Sequence, residues 1–263
     1  MQDNPIGIFD TGVGGLSVLK EIRTQLPDES IFYLADSGNC PYGSKKPDEA
    51  AALSRKNIAF LLEQGCKCIV IACNTVTAVA IDTFRQTYLV PFVGMEPAIK
   101  PAALMTKSKR VGILATENTF KGKLFKQTCE KFASGIEVFV QPGHGLVELV
   151  EQGDLHSRQT KALLESYIGP MMAQGADTLV LGCTHYPFLI HAIREIVQDR
   201  LTIIDPSAAV ARQTRRVLET ENLLASGRAA PCFSFFTTAD TPVTRQFLSQ
   251  AMDQPCGIEQ IRL

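Results

Sequence analysis

The sequence carries no excess of charge of either sign: 26 lysines and arginines stand against 27 aspartates and glutamates, a formal net charge of -1. A basic face for nucleic acid and an acidic, self-repelling tail are both excluded as dominant features, so a small-molecule partner is expected. No apolar run approaches the roughly 18 residues needed to cross a bilayer. The opening "MQDNPIGIFD" has neither the charged start nor the apolar stretch of a secretion signal, and the chain reads as cytoplasmic, with no membrane partner. Metal-ligand spacing is missing too. Only 4 histidines occur, no Cys-x-x-Cys is present, and Cys66, Cys68 and Cys73 are badly spaced for ligation, so no metal site is expected. Low-complexity segments and linkers are also absent.

What the sequence does have is 8 cysteines in 263 residues. In a reducing compartment these are free thiols, available for packing or catalysis rather than for a disulfide framework. Cys66 and Cys68 read as packing residues. Cys40, Cys129, Cys232 and Cys256 have no motif around them, and His144, His156 and His191 read as surface or core polar residues.

"IFDTG" (Ile8 to Gly12) and a second Asp-Ser-Gly at Asp36 to Gly38 resemble the paired triplets that hold an aspartic-protease carboxylate dyad. The surroundings exclude that reading. Short β-branched runs ("IGIF", "SIFYLA", "KCIVIA", "VPFVG") alternate with amphipathic helical stretches ("GLSVLKEIRTQL", "PDEAAALSRKNIAFLLEQG"), the pattern of βαβ units on a parallel sheet. A helix follows the first triplet where a protease needs hairpins.

The pattern then restarts. "VGILATENTFKGKLFKQTCEKF" parallels the opening "IGIFDTGVGGLSVLKEI", and "DTLVLGCTHYPFLIHAI" parallels "KCIVIACNTVTAVAIDTF". Asp10 aligns with Ala115 and Cys73 with Cys183, at offsets that differ by one short loop. An internal duplication follows, with the crossover near Gly94 to Pro101. The expected fold is α/β: two pseudo-symmetric domains with mainly parallel sheets, residues 1–97 plus 206–263 and residues 98–205, with the active site in the cleft between them. The tail "FSFFTTAD" and the helix after it add one more unit to one of the halves.

Each half places a cysteine at the carboxyl end of an apolar strand, in "IVIACNTVTA" and "LVLGCTHYPF", with a helix expected directly after it. Ligands of open α/β sheets bind in that crevice. Helix-terminal N–H groups there favour a thiolate and lower its pKa. Two thiols facing one carbon from opposite sides are the equipment for stereochemical inversion: one removes an α-proton and the other returns one from behind. An unperturbed cysteine is only about 3% thiolate at pH 7, so neighbours such as Asp10 and His185 have to position or relay protons, and the two thiols titrate as a pair. Thr11, Asn74, Thr75 and Thr184 offer hydroxyl and amide partners, or plain helix caps.

Gly12, Gly14 and Gly15 after the first strand also suggest a dinucleotide loop, but Ser17 stands where that fingerprint has glycine. Glycines that let a substrate approach the backbone are the better expectation. No lysine has the setting of a pyridoxal Schiff base, so no cofactor is expected.

On "GIFDTGVGGLSVL", "CPYG" after "ADSGN", "ACNTVTA", "EPAIKPA", "GILAT", "LVELVE", "LVLGCTHYPFL", "FFTTAD" and "GIEQIRL", the chain resembles the glutamate racemases, cofactor-independent members of the aspartate/glutamate racemase superfamily, nearly from end to end. The resemblance implies interconversion of L- and D-glutamate for peptidoglycan synthesis by two domains around one site, in a homodimer. It implies Cys73 and Cys183 as acid/base thiols, Asp10 and His185 as their auxiliaries, Thr11, Tyr42, Gly43, Asn74, Thr75 and Thr184 as glutamate contacts, and Glu151 as a further acidic site residue. An aspartate racemase and a non-catalytic amino-acid-binding relative are the alternatives. Two departures stand out: Thr11 replaces the usual serine, and Gly38-Asn39 replaces the common Ala-Arg, removing a positive charge beside the cleft with a consequence for affinity and for glutamate over aspartate. With Asp10 so near Met1, the extension some relatives use for activation by a wall precursor is not expected, nor its site.

Overall fold

The computed structural model describes residues 2–263. A six-stranded sheet is built from β1 (Ile6–Asp10), β2 (Ile31–Ala35), β3 (Cys68–Ile71), β4 (Phe92–Gly94), β9 (Phe233–Thr237) and β10 (Glu259–Gln260), in the order β10-β9-β2-β1-β3-β4. A four-stranded sheet holds β5 (Arg110–Ala115), β6 (Glu137–Pro142), β7 (Thr178–Gly182) and β8 (Thr202–Ile204), in the order β6-β5-β7-β8. Every strand pair is parallel. The core of the first sheet, β2-β1-β3-β4, therefore repeats the order of the second, the topological counterpart of the repeat in the sequence. The carboxyl-terminal unit does join one half: β9 pairs with β2 and carries β10 at the edge.

The strands β1, β3 and β7 are buried along their whole length, as strands covered by helices on both faces are. Their two faces serve different cores. Ile6 and Ile8 of β1, together with Leu179 and Leu181 of β7, belong to one apolar cluster that runs from one sheet to the other. Phe9 and Ile71 point into a second cluster confined to the first half, and Val180 into a third confined to the second.

Helix α1 (Leu16–Gln25) follows β1 and packs on α10 (Ser207–Thr220), while α3 (Asn74–Thr87) starts directly at Cys73. The corresponding start after Cys183 differs from expectation. In α3 the Thr77 N–H donates to the Cys73 carbonyl (3.0 Å); the matching donor in the second half would be residue 187, a proline, which has no N–H. The Tyr186 N–H donates to the Cys183 carbonyl instead (3.1 Å), a 3-10 turn covers Tyr186–Leu189, and the helix α9 (Ile190–Val197) begins only after it. Among the described residues no helix is long and apolar enough to cross a membrane.

Candidate active site

The carboxyl ends of β1, β3, β5 and β7 meet where the two sheets face each other. Thr11, Tyr42, Gly43, Cys73, Asn74, Thr75, Cys183, Thr184 and His185 line one small cavity there. Cys73 and Cys183 reach it from different sheets, 5% and 6% exposed. Asp10 and Glu151 do not reach its wall. They stand behind it, as supports for residues that do.

Asp10 is fully buried at the end of β1, and its Oδ2 accepts hydrogen bonds from the Gly15 N–H (2.6 Å) and the Thr184 hydroxyl (3.3 Å), the latter from the opposite half. Its Oδ1 has no partner. Burial raises its pKa to about 6, against the opposing pull of His185 and of the Thr11 N–H. Glu151, at the end of α7 (Leu146–Glu151), uses Oε1 twice: it accepts the Val13 N–H (2.7 Å) and pairs with His185 Nε2 (2.6 Å). The other ring nitrogen of His185, Nδ1, lies 3.9 Å from Cys183 Sγ. Burial works against the charged imidazole, but the hydrogen bonds it donates towards Cys183, Cys40 and Glu151 outweigh that and hold His185 well above its ordinary pKa.

The thiol at Cys73 behaves differently from the helix-terminus expectation. Its hydrogen bond with the Val76 N–H and the charge on His185 do favour the thiolate. Burial and the Asp10 carboxylate oppose it and win, pushing the pKa well above the usual thiol range. Cys73 is thus a proton-bearing thiol in this closed arrangement.

The glycines of "DTGVGG" also serve a purpose other than the one expected. A Cβ on Gly12 would lie 1.8 Å from Glu151 Oε1, and one on Gly14 would lie 2.4 Å from His185 Nδ1. They are bare so that the second half's acid and imidazole can reach across to the first. Gly43 plays the same part for Thr116, whose Cγ2 would lie 2.9 Å from a Cβ.

Two further residues were not singled out by the sequence. Thr116 lines the cavity, bonding Thr75 across the two halves through hydroxyls 2.9 Å apart. The duplication held the signal, because Thr116 follows Ala115 as Thr11 follows Asp10. Cys40 is the other; no motif surrounds it in the sequence, and its place comes from the fold. Its Sγ, a Glu151 carboxylate oxygen and a His185 ring nitrogen lie within 4.8 Å of one another, and burial pushes its pKa to about 11. No local spacing could have shown this, since the three residues come from three separate segments.

Tyr42 lines the cavity, but its hydroxyl points away and donates to Asp36 Oδ2. Burial and the Asp36 charge push the phenol far above its usual pKa, so it stays a donor. Asp36 Oδ1 accepts from Asn39 Nδ2 (2.9 Å) and the Thr238 hydroxyl (2.7 Å), and the Gly38 N–H donates to that same hydroxyl (2.9 Å). The Gly38-Asn39 departure is therefore a loop anchor: the Asn39 side chain is directed at Asp36. No lysine or arginine lines the cavity. A carboxylate there would meet hydroxyls, backbone N–H groups and the Asn74 amide, both of whose polar atoms are buried and unpartnered.

The cavity encloses only about 10 Å3, room for about one water. A groove of about 250 Å3 adjoins it and shares Pro41, Gly43, Thr116 and Val147 with its wall.

Two buried thiols thus reach one cavity from equivalent strands of two sheets, with a buried carboxylate and an imidazole close by, the layout expected of an amino-acid racemase. Residues 6–214 match the family described as Asp/Glu/Hydantoin racemase, and the chain belongs to that family. Within it the chain stands among the glutamate racemases. It is 52% identical over 230 residues, 87% of each chain, to the glutamate racemase of Pseudomonas paraeruginosa. Among solved structures it superposes on the glutamate racemase of Francisella tularensis in complex with D-glutamate at TM-score 0.87, with 27% identity, covering 100% of this chain and 98% of that one. It also superposes on the Escherichia coli enzyme in complex with L-glutamate and the activator UDP-MurNAc-Ala at TM-score 0.85, with 31% identity and 98% of each chain covered.

Proposed function

We propose that the protein interconverts L- and D-glutamate by a two-base mechanism that uses no cofactor, with Cys73 and Cys183 as the two proton carriers, and that it supplies D-glutamate for peptidoglycan. The observation that carries this reading is the convergence of the two thiols on one cavity from equivalent strands of two sheets. The glutamate held by the Francisella and Escherichia enzymes supports the choice of substrate. Residues 1–97 with 206–263, and 98–205, serve as the two halves that part and close.

In the productive form one cysteine is thiolate and the other thiol. For one enantiomer the thiolate at Cys183 takes the α-proton while Cys73, held protonated by its burial, delivers one to the opposite face; the other enantiomer reverses the roles. His185, its Nδ1 3.9 Å from Cys183, exchanges protons with that thiol, and Glu151 fixes the imidazole from behind. Charge that develops on the substrate carboxylate as the proton leaves meets preorganised donors: the Thr11, Thr75 and Thr184 hydroxyls, the Asn74 amide and backbone N–H groups. Asp10 orients Thr184.

In heavy water, L-glutamate and D-glutamate are each expected to lose their circular dichroism and take up deuterium at the α-carbon, while aspartate does neither at a comparable rate. Silence with both glutamates in fresh reductant overturns the reading, and turnover of aspartate alone would transfer it to that substrate.

Gly12→Ala tests the cross-half support. The new methyl displaces Glu151 Oε1 from both His185 and the Val13 N–H, and a misplacement of about 1 Å in a catalytic support costs about a hundredfold in rate. A kcat/KM down about 100-fold is expected, with the circular-dichroism spectrum of the folded chain unchanged. Activity within threefold of the parent would show that Glu151 is dispensable.

A further inference from the structure

We propose that Cys40, Glu151 and His185 form a binding site for a borderline-soft divalent metal, zinc above all, and that occupancy of this site shuts the enzyme down. The three side chains arrive from three segments: Cys40 from the loop after β2, Glu151 from the end of α7 and His185 from the turn after β7. Their donor atoms already lie within 4.8 Å of one another. One sulfur, one imidazole nitrogen and one carboxylate oxygen are a ligand set zinc favours, and three protein ligands with an open fourth position are a stable arrangement for it.

The adjustment needed is small. Bonds of about 2.3 Å to sulfur and about 2.0 Å to nitrogen put tetrahedral S and N ligands about 3.5 Å apart, so from a separation within 4.8 Å the sulfur closes by about 1.3 Å at most. The His185–Glu151 contact, now 2.6 Å, has to open by somewhat under 1 Å. Side-chain rotation supplies both. Glu151 retains its hold on the Val13 N–H, which keeps that carboxylate in place as a ligand. On binding, the Cys40 thiol proton and the proton held between His185 Nε2 and Glu151 both pass to solvent, and the His185–Glu151 hydrogen bond is replaced by two metal bonds.

The functional consequence follows from which residues are taken. His185 and Glu151 stand behind Cys183, and the metal turns both into ligands. Cys40 is the one member of the set outside the acid/base chain, so it gives the enzyme a thiol handle for metal that the reaction does not require. Zinc acts here as an inhibitor sensed through Cys40, and the binding does not depend on which amino acid is racemised.

The test uses the intact chain with cobalt(II) as a spectroscopic stand-in and zinc as inhibitor. Cobalt should give a thiolate charge-transfer band with the visible bands of a tetrahedral site in the parent and in Cys183→Ser, and neither in Cys40→Ala or Cys40→Ser. Zinc inhibition, normalised to each variant's own metal-free rate, should need at least tenfold more metal in both Cys40 variants. The proposal is overturned by the absence of a band in the parent, by its persistence in the Cys40 variants or loss in Cys183→Ser, or by equal zinc sensitivity throughout. The cobalt spectrum is read without substrate, so it stands apart from any failure of the racemase reading.

Discussion

Serine at position 73 is expected to lower racemisation of both L- and D-glutamate by about 10^2- to 10^4-fold, and serine at position 183 to do the same, the range a positioned proton carrier contributes. The exchange removes little else. Sulfur and oxygen differ by a fraction of an ångström in size, the Val76 N–H remains to bond a hydroxyl at position 73, and both side chains sit in nearly closed surroundings. A serine hydroxyl is a far weaker acid than a thiol, so neither the thiolate base nor the ready proton donor can form. The two directions must fall together. L- and D-glutamate have equal free energy in an achiral solvent, so kcat/KM is the same from either side in every variant, and a substitution that slows one direction slows the other by an identical factor. Because the two thiols act as one unit, the double variant should lose hardly more than either single one. Circular dichroism from each enantiomer, with α-deuterium uptake followed alongside, provides the measurement. Racemisation above a hundredth of the parent rate in either variant would remove that thiol from the mechanism.

The parts of this site that were legible in the sequence are those fixed by local pattern. β1, β3 and β7 read as continuous apolar runs because both of their faces are covered, and their ends put Asp10, Cys73 and Cys183 at the same edge of two sheets. The repeat in the sequence becomes a repeat in strand order, and with it the pairing of the cysteines. What was hidden depends on contacts between segments far apart in the chain. Glu151 meets a backbone N–H 138 residues away, and Cys40 meets His185 from the other half. The bare glycines at 12 and 14 looked like room for substrate, whereas the space is taken by Glu151 and His185. The Cys73 pKa was misjudged for a related reason: a helix start at the thiol is visible in the sequence, while the burial that outweighs it is a property of the closed cleft. Pro187 was in plain view, and its missing N–H accounts for the 3-10 turn after Cys183.

Lys67→Met is expected to cost about 3–5 kcal/mol of unfolding free energy, the usual penalty for removing one partner of a buried ion pair, and to leave kcat nearly untouched. Lys67 Nζ lies 2.5 Å from Glu29 Oε2, with the side chains 2% and 3% exposed. The ammonium also donates to the Gln2 carbonyl, and Glu29 Oε1 accepts the Ala225 N–H at 2.8 Å. One pair thus joins the amino-terminal segment, the loop after α1, the residue entering β3 and the loop before β9. Methionine fills much the same volume but leaves the Glu29 carboxylate buried without a counter-charge, and that uncompensated charge is the cost. Adding Glu29→Gln removes the charge and keeps an oxygen for the Ala225 N–H, so the double variant should recover more than half of the loss. Urea unfolding measures both, as a fall in midpoint at constant slope. Turnover is spared because Lys67 enters β3 at the end opposite Cys73, about 20 Å away at about 3.3 Å per residue. A loss below about 1 kcal/mol in the single variant, or no recovery in the double, would mean that water reaches this pair and that the hydrogen bonds to Gln2 and Ala225 hold the segments together without the charges.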